Sequence, residues 1–134
     1  MSIDLETRQT LIQYRIEQAK ETIEEAKLLL EHDKFRAAVN RIYYGMFYML
    51  LALGLKYHFE TSKHTQLIGW FNGTFIKVGT IPREYGKIIQ KAFEIRNQSD
   101  YETTLILTKE DVLKKYEDMQ DFINRLENFI LSEP

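Results

Sequence analysis

Two short stretches hold the residue types that could do chemistry. One is Thr61-Ser62-Lys63-His64-Thr65. At the start of a helix, exposed amides, the helix dipole, Lys63 and a titratable His64 together make a place for an anion. An N-cap with solvated neighbours accounts for the same residues. The other is Arg96-Asn97-Gln98-Ser99-Asp100-Tyr101, where a helix is expected to end in a cluster of hydrogen-bonding groups. Arg96 is either a fork for phosphate or the partner of Asp100 at the helix C-terminus. Residue chemistry alone favours the pairing.

Other chemistries lack their residues. The chain has no cysteine, which removes disulfides, thiolate metal sites and a Cys nucleophile, and suits a reducing cytoplasm. His32, His58 and His64 are not paired with each other or with carboxylates at helical metal-ligand spacing, so neither a zinc nor a di-iron site is expected, and no cofactor. The glycines are scattered at 45, 54, 69, 73, 79 and 86, and no phosphate loop or G-x-S-x-G forms from them. Glu24-Glu25 and Asp118 with Asp121 read as solvated helix faces. There is neither a basic-then-apolar leader nor an apolar run of membrane length, so the expected setting is the cytoplasm, away from membranes.

Charge is unevenly spread. The net charge of −2 gives no global case for nucleic acid. The segments 33–53 and 54–96 are net basic, and both ends are acidic. A basic middle is compatible with a local anion site, as it is with ordinary solvated faces.

The elements that must position these residues are helical. The 134 residues are enough for one domain, 1–134, with a real core. The stretch Phe35 to Leu55 is too apolar all round for a surface helix. It is too interrupted by Arg36, Asn40 and Arg41 for a membrane span. It reads as a central helix ending near Gly54, with Asp33 as its cap. Ala38, Gly45 and Ala52 form a small-residue stripe where another helix approaches closely. Asn40, Arg41, Tyr44 and Tyr48 are polar residues there that need partners. A first helix over Leu5 to Glu31 carries a seam of Ile12, Ile16, Ala19, Ile23, Ala26 and Leu30. A third, capped by Thr61 or Ser62, runs to Val78-Gly79. A fourth starts at Pro82 and stops near Arg96 or Asn97, with Gln98 to Leu107 as a loop. Thr108 and Asp111 cap a last helix to about Leu131, whose inner face includes Val112, Leu113, Tyr116 and Phe122. Tyr57 and Phe59 either face a partner or fold back on the core. Few glycines and prolines, long helices and short connections predict an all-α, up-and-down bundle of four to five helices.

Four motifs in order then suggest a family. They are RAAVNRIYYGMFY at 36–48, SKHT at 62–65, FIKVGTIP at 75–82 and AFEIRNQSDY at 92–101. Together they resemble small stand-alone HEPN-domain proteins, in the subgroup with a YYAMF-like central helix and a closing R-x-x-x-D-Y. The likeness covers roughly residues 12–128. It implies a homodimer, often encoded beside a minimal nucleotidyltransferase in a toxin–antitoxin-like pair. Nuclease members of the wider family use an Arg, a short spacer and a His to cleave RNA without metal. Here Arg96 matches the Arg, and Asn97 the polar residue after it. No His follows at Tyr101, Glu102 or Thr103, and Asp100-Tyr101 match the subgroup's ending.

Three readings follow. The first is a HEPN dimer without ribonuclease activity that binds a nucleotide or a partner nucleotidyltransferase. Arg96, Asn97, Asp100, Tyr101, Lys63 and His64 would line its site, backed by Arg41, Tyr44 and Tyr48. The second is a metal-independent endoribonuclease toxin acting on RNA with Arg96 and His64 as the catalytic pair. The third is a purely structural bundle with an internal Arg96–Asp100 salt bridge.

Overall fold

The computed structural model describes residues 3–102 and 105–132. Five α-helices follow in order: α1 Leu5–Glu31, α2 Phe35–Lys56, α3 His64–Phe71, α4 Arg83–Tyr101 and α5 Lys109–Ser132. A π-helical turn, Asn72–Ile76, extends α3. No strand occurs among the described residues, and the all-α helical bundle is as expected.

The first helix starts where its sequence says it should. Asp4 accepts the Thr7 amide at 2.7 Å, satisfying one of the donors a helix start leaves over. Its seam packs on α2, burying Ile16, Ala19, Ala26 and Leu30. Arg8, also buried, ties α1 to the end of α2. Its Nη1 donates to the Leu55 carbonyl at 2.7 Å and to Glu60 Oε1 at 2.6 Å.

The second helix is central: α1, α5, α4 and α3 all pack on it. Its inner residues Ile42, Tyr43, Met46, Met49, Leu50 and Leu53 are almost wholly buried. Each such large side chain contributes about 1.5–3 kcal/mol of transfer free energy. The small-residue stripe meets helices of the same chain. A Cβ at Gly45 would collide with Met119 Cε of α5 and come within 3.3 Å of Thr22 on α1.

Several boundaries differ from those read in the sequence. Asp33 does not cap α2. Its φ of 58° places it in a left-handed turn, Lys34 takes the cap position, and Asp33 Oδ1 lies 3.3 Å from Lys109 Nζ instead. Gly54 does not end α2, which runs on to Lys56. The glycine is needed because the chain returns over it: Phe59 donates to its carbonyl at 2.8 Å, and a Cβ would stand 2.5 Å from Phe59 O. Lys63, and neither Thr61 nor Ser62, caps α3, while Thr61 Oγ1 accepts the Lys63 amide at 3.2 Å.

Pro82 flanks α4 as its cap, and Arg83 is its first residue. Most consequential, α4 continues through Tyr101, so Gln98 to Tyr101 are helical and not loop. Residues 103 and 104, in the expected loop, lie outside the described residues. The cap on α5 is as read, with Asp111 N donating to Thr108 Oγ1 at 3.1 Å, but Leu113 is 45% exposed and not on the inner face. Asp118 and Asp121 are more than solvated: Lys114 reaches the first at 3.0 Å, and the buried Tyr85 hydroxyl donates to the second at 3.0 Å.

Tyr57 and Phe59 fold back. Tyr57 meets Phe75 edge-on at 5.2 Å between ring centroids, and Phe59 stacks on Trp70 at 4.9 Å. No helix among the described residues is long and apolar enough to cross a membrane.

Candidate functional site

Two consecutive tyrosines of α2 join the two polar stretches. Tyr43 points into the core and is fully buried, while Tyr44 is half-buried one residue on. A buried phenol needs a hydrogen-bond partner. Tyr43 finds it in His64, the first residue of α3, with Oη 2.6 Å from Nδ1.

The imidazole packs among four aromatic rings. It stacks on Phe47 at 4.1 Å with 9° between planes and on Tyr43 at 5.6 Å, meets Tyr44 edge-on at 5.7 Å, and has Phe93 at 6.4 Å. Burial lowers the His64 pKa from its ordinary value, and the charge of Arg96 lowers it further. Burial raises the Tyr43 phenol far above its ordinary value, with Arg96 opposing that rise. The phenol therefore keeps its proton, and among the described residues Nδ1 of His64 is the acceptor the structure gives that buried hydroxyl. We assign the tautomer on that basis, with the phenol donating to Nδ1 and the ring proton on Nε2.

Arg96 reaches the same pair of rings from α4. Its Cζ lies 5.2 Å from the Tyr44 centroid and 5.8 Å from the Tyr43 centroid. Nη2 donates to the Tyr44 hydroxyl at 3.1 Å, and Nη1 to Asn97 Oδ1 at 3.2 Å. Nε stands 3.1 Å from Asp100 Oδ2, one helical turn on. That distance makes an ion pair, yet the buried Nε–H is not aligned for a hydrogen bond. The contact between the two side chains is thus one of charge. Nη1 and Nη2 each carry a second N–H beyond the bonds described. The side chain is 23% exposed, so an anion can approach it.

The extension of α4 places these groups. Had the helix stopped at Asn97, Asp100 would not lie one turn beyond Arg96. The extra turn is held from α2, where Arg36 donates to the carbonyls of Ser99, Glu102 and Leu105, the last two at 3.0 and 3.2 Å. A guanidinium thus occupies the carbonyl end of the helix, where a cation is also favoured by the dipole.

Of the residues singled out in the sequence, Arg96, Asn97, Asp100, Tyr44 and His64 come together. Arg41 lies with its Cζ 5.3 Å from the Tyr44 centroid, and Tyr48 has its ring 6.0 Å from that of Tyr44. Lys63 is exposed beside His64, with no side-chain bond capping the helix. Tyr101 is 85% exposed at the end of α4, outside the cluster. Tyr43 escaped the sequence reading. The signal was present: a phenol among core positions needs a hydrogen-bond partner. Among the described residues, no group of three His, Cys, Asp or Glu is placed to hold a metal ion.

Comparison with known proteins identifies the family of the chain. A family model described as the HEPN domain matches residues 12–129, and the chain belongs to that family. A Thermotoga maritima protein named UPF0332 protein is 34% identical, covering 92% of this chain and 93% of its own. Two Methanocaldococcus jannaschii proteins are similar too. "Putative toxin MJ0605" is 36% identical over 86% of this chain and 85% of its own, and "Putative toxin MJ0142" is 30% identical over 88% and 80%.

Proposed function

We propose that this protein is the HEPN component of a toxin–antitoxin-like pair. It binds the phosphate of a nucleotide or RNA between Arg96 and His64, without cleaving it. The toxin names of two relatives support the setting. The order of the four motifs supports a homodimer and a minimal nucleotidyltransferase partner. The observation that carries the site is the convergence of Arg96 and His64, from different helices, on Tyr43 and Tyr44.

Binding is favoured over cleavage by the state of His64. A general base needs a lone pair facing the proton it removes. The Nδ1 lone pair of His64 is taken by the Tyr43 hydroxyl at 2.6 Å. Nε2 then carries a proton and suits holding a phosphate oxygen beside the guanidinium.

The second reading is a metal-independent endoribonuclease using Arg96 and His64. It is favoured by the burial of His64, which with the charge of Arg96 shifts its pKa down toward the neutral imidazole that a general base requires. One set of measurements separates the two. Wild type, Arg96→Ala and His64→Ala are titrated with ATP, GTP and a labelled oligoribonucleotide, and the RNA is run on a gel with and without Mg²⁺. Binding weakened about ten-fold or more in Arg96→Ala, with intact RNA throughout, is expected. Cleavage by wild type that is lost in His64→Ala establishes the second reading. No binding of any of the three ligands overturns the first. Light scattering tests the dimer: a monomeric mass at micromolar concentration counts against it.

A further inference from the structure

The surface of α2 beside Arg96 is unlike the rest of that helix. Where α2 faces α1, α4 and α5 its side chains are apolar and buried, as at Val39, Ile42, Met46 and Leu50. Arg41, Tyr44 and Tyr48, spaced by three and four, share another face and are only half-buried. Two guanidiniums lie near the Tyr44 ring, Arg41 at 5.3 Å and Arg96 at 5.2 Å from its centroid, and the Tyr48 ring follows at 6.0 Å. Arg41 is held flat by Asn40 Oδ1, which accepts from Nε at 3.2 Å and Nη2 at 3.1 Å. Glu25 Oε1 lies 3.5 Å from its Nη1, and its side chain is 29% exposed.

Two phenol rings and two planar cations in a half-open row match what unpaired bases require. Bases stack on aromatic faces and on guanidinium planes, while the cations meet the backbone. Paired bases are already stacked on each other and offer no free face. We propose that Arg41, Tyr44 and Tyr48 form a stacking platform that selects unpaired bases of a single-stranded nucleic acid whose phosphate sits at Arg96. The inference rests on Arg96 being a phosphate site. It makes Arg41 and Tyr48 contact residues in their own right, beyond any support they give Arg96.

The test uses the full chain and fluorescence anisotropy with labelled ten-nucleotide RNA, the same sequence as DNA, and a blunt RNA duplex. Tripolyphosphate, which has no base, serves as a competitor that reads the phosphate site alone. Single strands are expected to bind at least about ten-fold tighter than duplex, RNA and DNA alike if stacking dominates. Tyr48→Ala should weaken single-strand binding about ten-fold and leave the tripolyphosphate Kd within about two-fold, and Tyr48→Phe should keep wild-type affinity for both. Tyr48→Leu replaces Tyr48→Ala if melting shows that the latter unfolds.

Tripolyphosphate binding with equal affinity for duplex and single strand, unchanged by Tyr48→Ala, overturns the platform and leaves the phosphate site standing. Failure of every ligand overturns both. A change in molecular mass in Tyr48→Ala without a change in RNA affinity also overturns the platform, because it assigns this face to a second copy of the chain.

Discussion

The Tyr43 hydroxyl and His64 Nδ1, 2.6 Å apart, are each other's hydrogen-bond partner across the α2–α3 packing. Replacing Tyr43 with Phe keeps the ring stacking but leaves Nδ1 without its donor. A loss of about 1–2 kcal/mol is expected, measured by urea unfolding at pH 7.5. The His64 pKa, followed by its ring proton resonances, should rise toward the ordinary value, since the bond favours the neutral form. An unchanged pKa would show that the phenol is not the donor.

The same pair sets a pH dependence. The folded-state pKa of His64 lies below its ordinary 6.5, so the unfolded chain binds more protons between the two values. The stability this group contributes is present above pH 6.5 and is lost as pH falls through the folded pKa. Urea midpoints at pH 7.5 and 5.5 should therefore fall further for wild type than for His64→Gln. Equal falls in both proteins would rule His64 out as the source.

Gly45 and Gly54 should respond differently to alanine. At Gly45 the new methyl meets the tip of Met119, a flexible side chain that can turn aside, at a cost of about 1–3 kcal/mol. At Gly54 it meets the Phe59 carbonyl oxygen at 2.5 Å, and backbone has no rotamer to change. Thermal melting should rank Gly54→Ala below Gly45→Ala. The reverse order would mean that the 57–60 turn moves more readily than the α2–α5 contact.

Arg36→Ala should loosen the end of α4 locally. The carbonyls of Ser99, Glu102 and Leu105 lose a shared cationic donor. Hydrogen exchange of amides near residues 99–102 should speed up about ten-fold, while those of Ile42 to Leu50 stay protected. Because Asp100 shares that turn, phosphate affinity at Arg96 should change in the same variant. Unaltered exchange at 99–102 would show that the turn is held by other contacts.

The helices with long apolar periods were legible in the sequence, because burial of one face decides them. Leu5–Glu31 matches to the residue. The end of α4 was not. Asn97-Gln98-Ser99-Asp100 looks like a helix stop by local preference, and Arg36, more than sixty residues away in sequence, braces the turn from outside it. Asp33 looked like a cap, but its left-handed backbone turns it toward Lys109. Arg96, Asn97 and Asp100 were visible as a group because they are neighbours in the chain. The approach of His64 was not, since it depends on Tyr43, a residue whose spacing assigns it to the core.

The π-helical turn after α3 sets the tolerance of this region to changes in length. Lys77 donates to the Asn72 carbonyl at 2.8 Å, five residues back, so the turn holds one residue more than an α-helical turn. With it, Phe71 and Phe75 both reach the core. Deleting exposed Gly73 or Thr74 would let the turn close into an α-helical register, with Phe71 and Phe75 then three residues apart and still on one face. The stretch from 71 to 76 is therefore a slack segment, in which a lost surface residue is absorbed by trading a wide turn for an ordinary one.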